Sequence, residues 1–242
     1  MAALVVEGDR YRSLLHGEEE KNTKWRFGTL PNYNTVNKLF EEGRTKVWPA
    51  GSLEEKVQNL AKSWEMEMIH KTRIEDFKTI DTNKFTFSLN GRKAQTIEEI
   101  SKLDGGYGLN WQTSLPKELR VYNPIDDETA ASYMKTFSKT LPRGFAMEVL
   151  QVYSGPPVIA YKFRHWGFMD GPFRGHAATG EMVELFGMAM FEVDEDMKIV
   201  KVEFFYDRGE LLAGLLKGAK IDGSYSSKEA AAPLSCPVLR NN

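Results

Sequence analysis

The stretch from Pro156 to Gly218 constrains this chain most: PPVIAYKFRHWGFMDGPFRGHAATGEMVELFGMAMFEVDEDMKIVKVEFFYDRGELLAGLLKG. Three long β-type segments follow one another, at Val158–Phe168, Met182–Val193 and Lys198–Tyr206. Turn chemistry separates them at Asp170-Gly171-Pro172, at Gly175–Gly180 and at Asp194–Met197. Connections this short bring consecutive strands together antiparallel. The pattern predicts a curved sheet around an interior hollow, with a few ionisable groups reaching in. Such a hollow suits a small, mostly apolar molecule.

Helices precede these strands. Ser52-Leu53-Glu54-Glu55 reads as a capping box, and a helix to about Lys71 follows. Leu53, Val57, Leu60, Ala61, Trp64 and Met68 recur along it at helical spacing. A short helix over Asn34–Glu42 is expected, and a second capping box, Thr96-Ile97-Glu98-Glu99, opens one that stops at Gly105-Gly106. Asp127–Leu141 repeats the helical pattern, and Glu210–Leu216 makes a last short helix. Lys84–Leu89 alternates like a strand and ends at a hairpin signal, Asn90-Gly91; Phe145–Tyr153 is the strand before Val158. Helices followed by antiparallel strands indicate an α+β fold with helices on the concave side of the sheet.

Three regions are expected. Residues 1–50 form an extension wrapping the core, since Trp25, Phe27, Tyr33, Leu39, Phe40 and Trp48 are too many large apolar groups for a disordered arm. Residues 51–218 make the core domain, and 219–242 a loose Ser/Ala/Pro-rich tail.

The formal net charge of −2 gives no reason to expect nucleic acid or an anionic membrane as partner. A single cysteine, Cys236, excludes an intramolecular disulfide framework and fits a reducing compartment. Neither a secretory leader nor a run near the roughly 18 apolar residues of a membrane span is visible, and Ala2 stands where myristoylation needs glycine. The expected location is cytoplasmic, with a nuclear pool open on size. The Gly-rich pieces at 105–108 and 175–180 match no phosphate cradle, and no Cys/His cluster has zinc spacing, so no cofactor and no metal are expected.

The loop Gly175–Gly180, the strand ending in Asp207, and Leu211-Leu212 resemble the SnoaL-like branch of the NTF2-like superfamily, a cone-shaped α+β fold. A fuller likeness covers nearly the whole chain. EKNTKWRFG (20–28), NKLFEEGRTKVWP (37–49), SLEEKVQNLAKSWEMEMIHKT (52–72), NKFTFSLNGR (83–92), 142–181 and VEFFYDRGELLAGLLKG (202–218) are similar to the plant pathogen-related protein group. The resemblance implies a plant, stress-responsive protein of plant defence. Two departures from the group's pattern stand out: Ala178 in place of a loop proline, and Arg208 directly after Asp207.

The resemblance also makes Asp207 the counterpart of a strand-borne catalytic base in SnoaL-like cyclases. Such a carboxylate, with its pKa raised, could take a proton alpha to a carbonyl. The competing reading is an N-cap of the helix that follows. A guanidinium at Arg208 favours the charged carboxylate. Alternation puts Ile159, Tyr161, Phe163 and His165 on one face, the more apolar one, so His165 is expected to face inward. It is either a proton relay or a histidine satisfied by neighbouring groups. His70, at a helix end, is expected to act as a cation on the helix dipole. His176 reads as a solvent-exposed loop residue or a gate.

Trp64, Met68, Tyr161, Phe163, His165, Phe186, Met188, Met190 and Phe205 are the candidate ligand-binding residues, methionine being suited to bulky guests. Leu185, Ala189, Phe191 and Val193 on the opposite face of the same strand are apolar too, so that strand is covered on both sides. The resemblance implies a partner subunit as one cover, since related folds dimerise through the outer sheet face; the N-terminal extension is the competing cover. Glu203 shares a face with Phe205 and Asp207, and its side of the sheet stays open at this point.

Two functional expectations result. One is a carrier or non-catalytic accessory protein that binds an apolar metabolite, terpenoid or phenolic, in specialised metabolism, and docks to pathway enzymes. The other is an acid–base isomerase, cyclase or dehydratase using Asp207 and His165.

Overall fold

The computed structural model describes residues 9–103, 110–122 and 129–221. The expected helix stop at Gly105-Gly106, the residues Asp127 and Cys236, and the C-terminal tail beyond Ile221 lie outside them.

The chain forms α1 (Asn34–Gly43), α2 (Leu53–His70), β1 (Thr86–Leu89), β2 (Gln95–Thr96), α3 (Ile97–Ser101), α4 (Ala130–Thr140), β3 (Ala146–Ser154), β4 (Val158–Phe168), β5 (Met182–Val193), β6 (Ile199–Tyr206) and α5 (Arg208–Leu215). The caps explain several starts. Ser52 Oγ accepts the Glu55 amide at 3.2 Å, while the Glu55 carboxylate takes the Gly51 amide at 2.6 Å. Thr96 and Glu99 cap each other at α3. Thr129 accepts the Ser132 amide at α4.

One sheet runs β2-β1-β6-β5-β4-β3. Neighbours are antiparallel except β1 and β6, which pair in parallel through Thr86↔Lys201 and Phe87↔Val202. That parallel pair departs from the expected all-antiparallel order. The chain between β1 and β6 is long enough to cross over, and hairpin geometry does not apply to it. Register shifts in β3 at Val149/Gln151 and Val152/Ser154, and between β5 and β6 at Glu192/Val193, bend the strands and curve the sheet.

α2 lies on the concave face against β3. Val57, Ala61, Trp64 and Met68 pack there with Phe85, Phe87, Met147, Val149, Phe191 and Val202. A second cluster joins Tyr133 and Leu141 to Val183, Leu185, Leu211, Leu212 and Leu215. A third holds Tyr11, Leu39, Phe40, Ala146 and Trp166. α2 is buried on more than its apolar stripe, because the N-terminal segment covers a second side. Lys71 Nζ lies 2.7 Å from Glu20 Oε1, Glu67 Oε1 and the Asp76 carbonyl oxygen. Glu67 also accepts the amides of Lys78 and Thr79 at 2.8 Å each. Every charge in this cluster is paired, as burial requires. Glu148, buried under the 43–46 segment, accepts the Lys46 amide at 2.6 Å and faces Arg164 at 3.2 Å.

Candidate functional site

A hollow of about 500 Å³ lies where the three clusters meet. Its walls include Trp64, Met68, Phe87 and Met147 of the first cluster, Trp111, Tyr133, Leu141, Leu185 and Leu211 of the second, and Phe40 and Ala146 of the third. The size falls within the roughly 300–1,000 Å³ usual for small-ligand sites. Ionisable and phenolic groups enter the wall at Arg12, Tyr33, Lys62, Glu65, His70, His165, Tyr206 and Arg208, beside neutral polar side chains such as Asn37 and Ser138.

His165 lies in β4 and faces inward, as the alternation required. Its ring stacks on Phe145 at 5.2 Å and meets the edge of Phe163 at 5.5 Å. Its Nδ1 has no hydrogen-bond partner among the described residues. Burial lowers its pKa below the usual 6.5; Glu65 nearby works against this and Lys62 with it. The imidazole is therefore neutral near pH 7.

Glu65 enters from α2 on the facing wall, and no hydrogen bond or ion pair to its carboxylate occurs among the described residues. It and His165 also share a recess of about 20 Å³ beside the hollow, with Met147, Tyr161, Phe163 and Phe204. Glu65 is not among the candidates that the sequence offered. A signal was present, since Glu65 stands four residues after Ala61 and three before Met68, on the stripe itself.

The other candidates divide. Trp64 and Met68 line the hollow. Tyr161 and Phe163, 2% and 3% exposed, line only the small recess. Phe186, Met188, Met190 and Phe205 do not line the hollow and are corrected here. The inner face of β5 carries Leu185, Ala189, Phe191 and Val193, all buried. The outer face therefore carries Phe186, Met188 and Met190, with Phe186 and Met188 46% and 37% exposed. On β6, Phe204 and Tyr206 face the hollow, while Phe205 lies outward, as does Glu203, paired to Lys201 at 2.9 Å. Gly187 faces inward opposite Phe163; a Cβ there would stand 2.5 Å from the Phe163 ring.

Asp207 is not part of the lining. Its Oδ1 accepts the Gly209 amide at 2.7 Å and caps α5. The Arg208 guanidinium donates to the Trp111 and Tyr122 carbonyl oxygens. His70 is corrected as well. Burial, with Arg12 and Arg26 close by, pushes its pKa down to about 4, so it is not a cation on the helix dipole at neutral pH. Phe27 and Tyr33 pack edge-on against its ring. His176 Nδ1 donates to the Gly218 carbonyl oxygen at 2.9 Å.

An α+β protein with one curved sheet and a mixed apolar–polar hollow is thus defined. Its sequence is 52% identical to the pathogen-related protein of Hordeum vulgare over 242 residues, covering 99% of each chain. The chain belongs to the pathogen-related protein family. A scan against family models found no match. Among solved structures it matches a putative SnoaL-like polyketide cyclase from Jannaschia sp. CCS1, at 14% identity and a TM-score of 0.38, over 72% of this chain and 100% of that one. It also matches a ketosteroid isomerase-like protein from Catenulispora acidiphila, at 9% identity and a TM-score of 0.37, over 64% and 91% of the two chains. These likenesses are partial, and nothing about chemistry rests on them. Among the described residues no helix is long and apolar enough to cross a membrane.

Proposed function

We propose that the hollow binds one small, mostly apolar metabolite carrying a single polar group. The protein then serves as a carrier or accessory protein in specialised metabolism of a stressed or infected plant. The observation that carries this reading is the pair Glu65 and His165. Both line the hollow; among the described residues His165 Nδ1 is buried without a hydrogen-bond partner, and no hydrogen bond or ion pair reaches the carboxylate of the half-buried Glu65. A buried imidazole nitrogen left unpaired is costly unless a guest or water completes it. The walls supply apolar contact, and these two groups supply orientation.

Native mass spectrometry of the protein purified from plant tissue tests this. The expected result is one bound small molecule per chain, reduced in Glu65→Gln. Protein that carries no guest, and takes up none from a plant extract, overturns it.

The same pair favours a second reading, acid–base turnover of an isomerase, cyclase or dehydratase type. A carboxylate and a neutral imidazole sharing one site can pass a proton across a bound carbonyl compound. In this reading Glu65 takes the place first given to Asp207. Conversion of the guest that stops in Glu65→Gln and in His165→Phe, with the fold intact, distinguishes turnover from carriage.

A further inference from the structure

Two buried lysines stand nine residues apart, one in α2 and one just past its end, and they are built differently. Lys71 has three oxygen atoms at 2.7 Å from its Nζ. Lys62, 2% exposed, has none: among the described residues no hydrogen bond or ion pair reaches its Nζ. Aromatic faces meet it instead, Phe40 at 3.1 Å and Tyr11 at 4.0 Å from the ring centroids. Yet Lys62 lines the hollow, together with Glu65, one turn along the same helix. An ammonium that is to stay charged in an interior needs oxygen partners, as Lys71 has. The surroundings of Lys62 instead suit an uncharged amine.

Building on the binding proposed above, we propose that Lys62 is a carbonyl-capturing amine: its Nζ, buried between the two rings, swings out into the hollow, where an aldehyde or ketone guest condenses with it to an imine.

The electrostatics agree with the geometry. Burial, helped by the Arg12 guanidinium, brings the Lys62 pKa down to about 6, against the pull of Glu65, Asp9 and Glu41. A desolvated neutral lysine is an activated nucleophile. Its lone pair adds to the carbonyl carbon, forming the C–N bond, and the C=O electron pair moves onto oxygen. The oxygen takes up a proton and the nitrogen gives one away, which yields a carbinolamine. The hydroxyl then takes a second proton and leaves as water as the C=N bond forms, and the nitrogen returns a proton. No oxidant, reductant or cofactor is needed. Glu65 lines the same hollow and supplies the carboxylate for these proton transfers. The guest class is therefore narrowed to carbonyl compounds.

The test uses the full chain with 4-isopropylbenzaldehyde and sodium cyanoborohydride at pH 7, followed by intact mass and peptide mapping. The matching alcohol, which cannot form an imine, is titrated in parallel by calorimetry. At pH 7 a surface lysine is neutral only about once in 2,500 molecules, so the Lys62 adduct should form at least ~10-fold faster than any other. Its rate should rise through pH 6 and then level off, whereas surface adducts keep rising toward pH 10. Lys62→Met keeps an uncharged stem between the rings and should lose this adduct alone. Adducts spread over surface lysines with Lys62 unmodified, while the alcohol binds one per chain, would overturn the imine proposal and leave the binding reading standing. No binding of the alcohol and no Lys62 adduct would overturn both.

Discussion

The Asp207 carboxylate accepts the amide of Gly209 at 2.7 Å, two residues ahead in the chain. It satisfies an amide at the start of α5 that would otherwise lack a partner. Replacing an N-cap aspartate by alanine costs about 1 kcal/mol, and by asparagine much less. Asp207→Ala is therefore expected to lower the unfolding free energy measured in urea by that amount, with guest binding unchanged. A loss of binding without loss of stability would return Asp207 to the site.

The Lys71 cluster ties residues 18–20 of the N-terminal segment to α2 and to the turn at Asp76. Lys71→Met leaves Glu20 and Glu67 buried without their cation. Breaking a buried pair in this way costs about 3–5 kcal/mol. Chemical denaturation should show that loss. A change below about 1 kcal/mol would mean that the segment is not held through this contact.

Two histidines make the fold sensitive to acid. His70, with its pKa lowered from 6.5 to about 4, and His165, lowered in the same direction, are neutral in the folded chain. Between pH 6.5 and about 4 the unfolded chain binds protons there that the folded chain does not. Stability from these groups is complete above pH 6.5 and falls as pH drops through that window. His70→Phe, which keeps a ring against Phe27 and Tyr33, should flatten the decline in unfolding free energy between pH 6.5 and 4. An unchanged slope would show that His70 titrates normally.

The outer face of the sheet gives a contrasting expectation. Phe186, Met188 and Phe205 are exposed there and do not line the hollow. Phe186→Ser with Phe205→Ser should leave guest affinity within about 0.5 kcal/mol, as distant surface changes do. A large loss of affinity would place the guest on the wrong side of the sheet.

Strand and helix placement was legible because period and caps agreed at each step. Ser52, Thr96 and Asn90-Gly91 mark real boundaries. The inward direction of His165 was legible because β4 has one face clearly more apolar than the other. β5 offered no such contrast. Phe186, Met188 and Met190 are as apolar as Leu185, Ala189 and Phe191, so alternation could not choose the inner set. Lys62 was hidden for a related reason. A charge beside an apolar stripe ordinarily faces water, and only the N-terminal cover, through Tyr11 and Phe40, encloses this side of α2. Contacts so distant in sequence leave no periodic trace. Asp207 carried two readings, a base by resemblance to cyclases and a cap of the helix directly after it, and its hydrogen bond to Gly209 is that of the cap.

The central claim is that one small apolar molecule occupies the space between α2, α4 and the sheet. Calorimetric titration with 4-isopropylbenzyl alcohol, on the wild-type chain and on Met134→Trp, tests it most directly, because the added ring fills a hollow of about 500 Å³ from its α4 wall. The account predicts one site per chain in the wild type and binding at least ~10-fold weaker in the variant, about 1.4 kcal/mol, at unchanged thermal stability. Equal binding by the two proteins, or no saturable binding by the wild type, would contradict it.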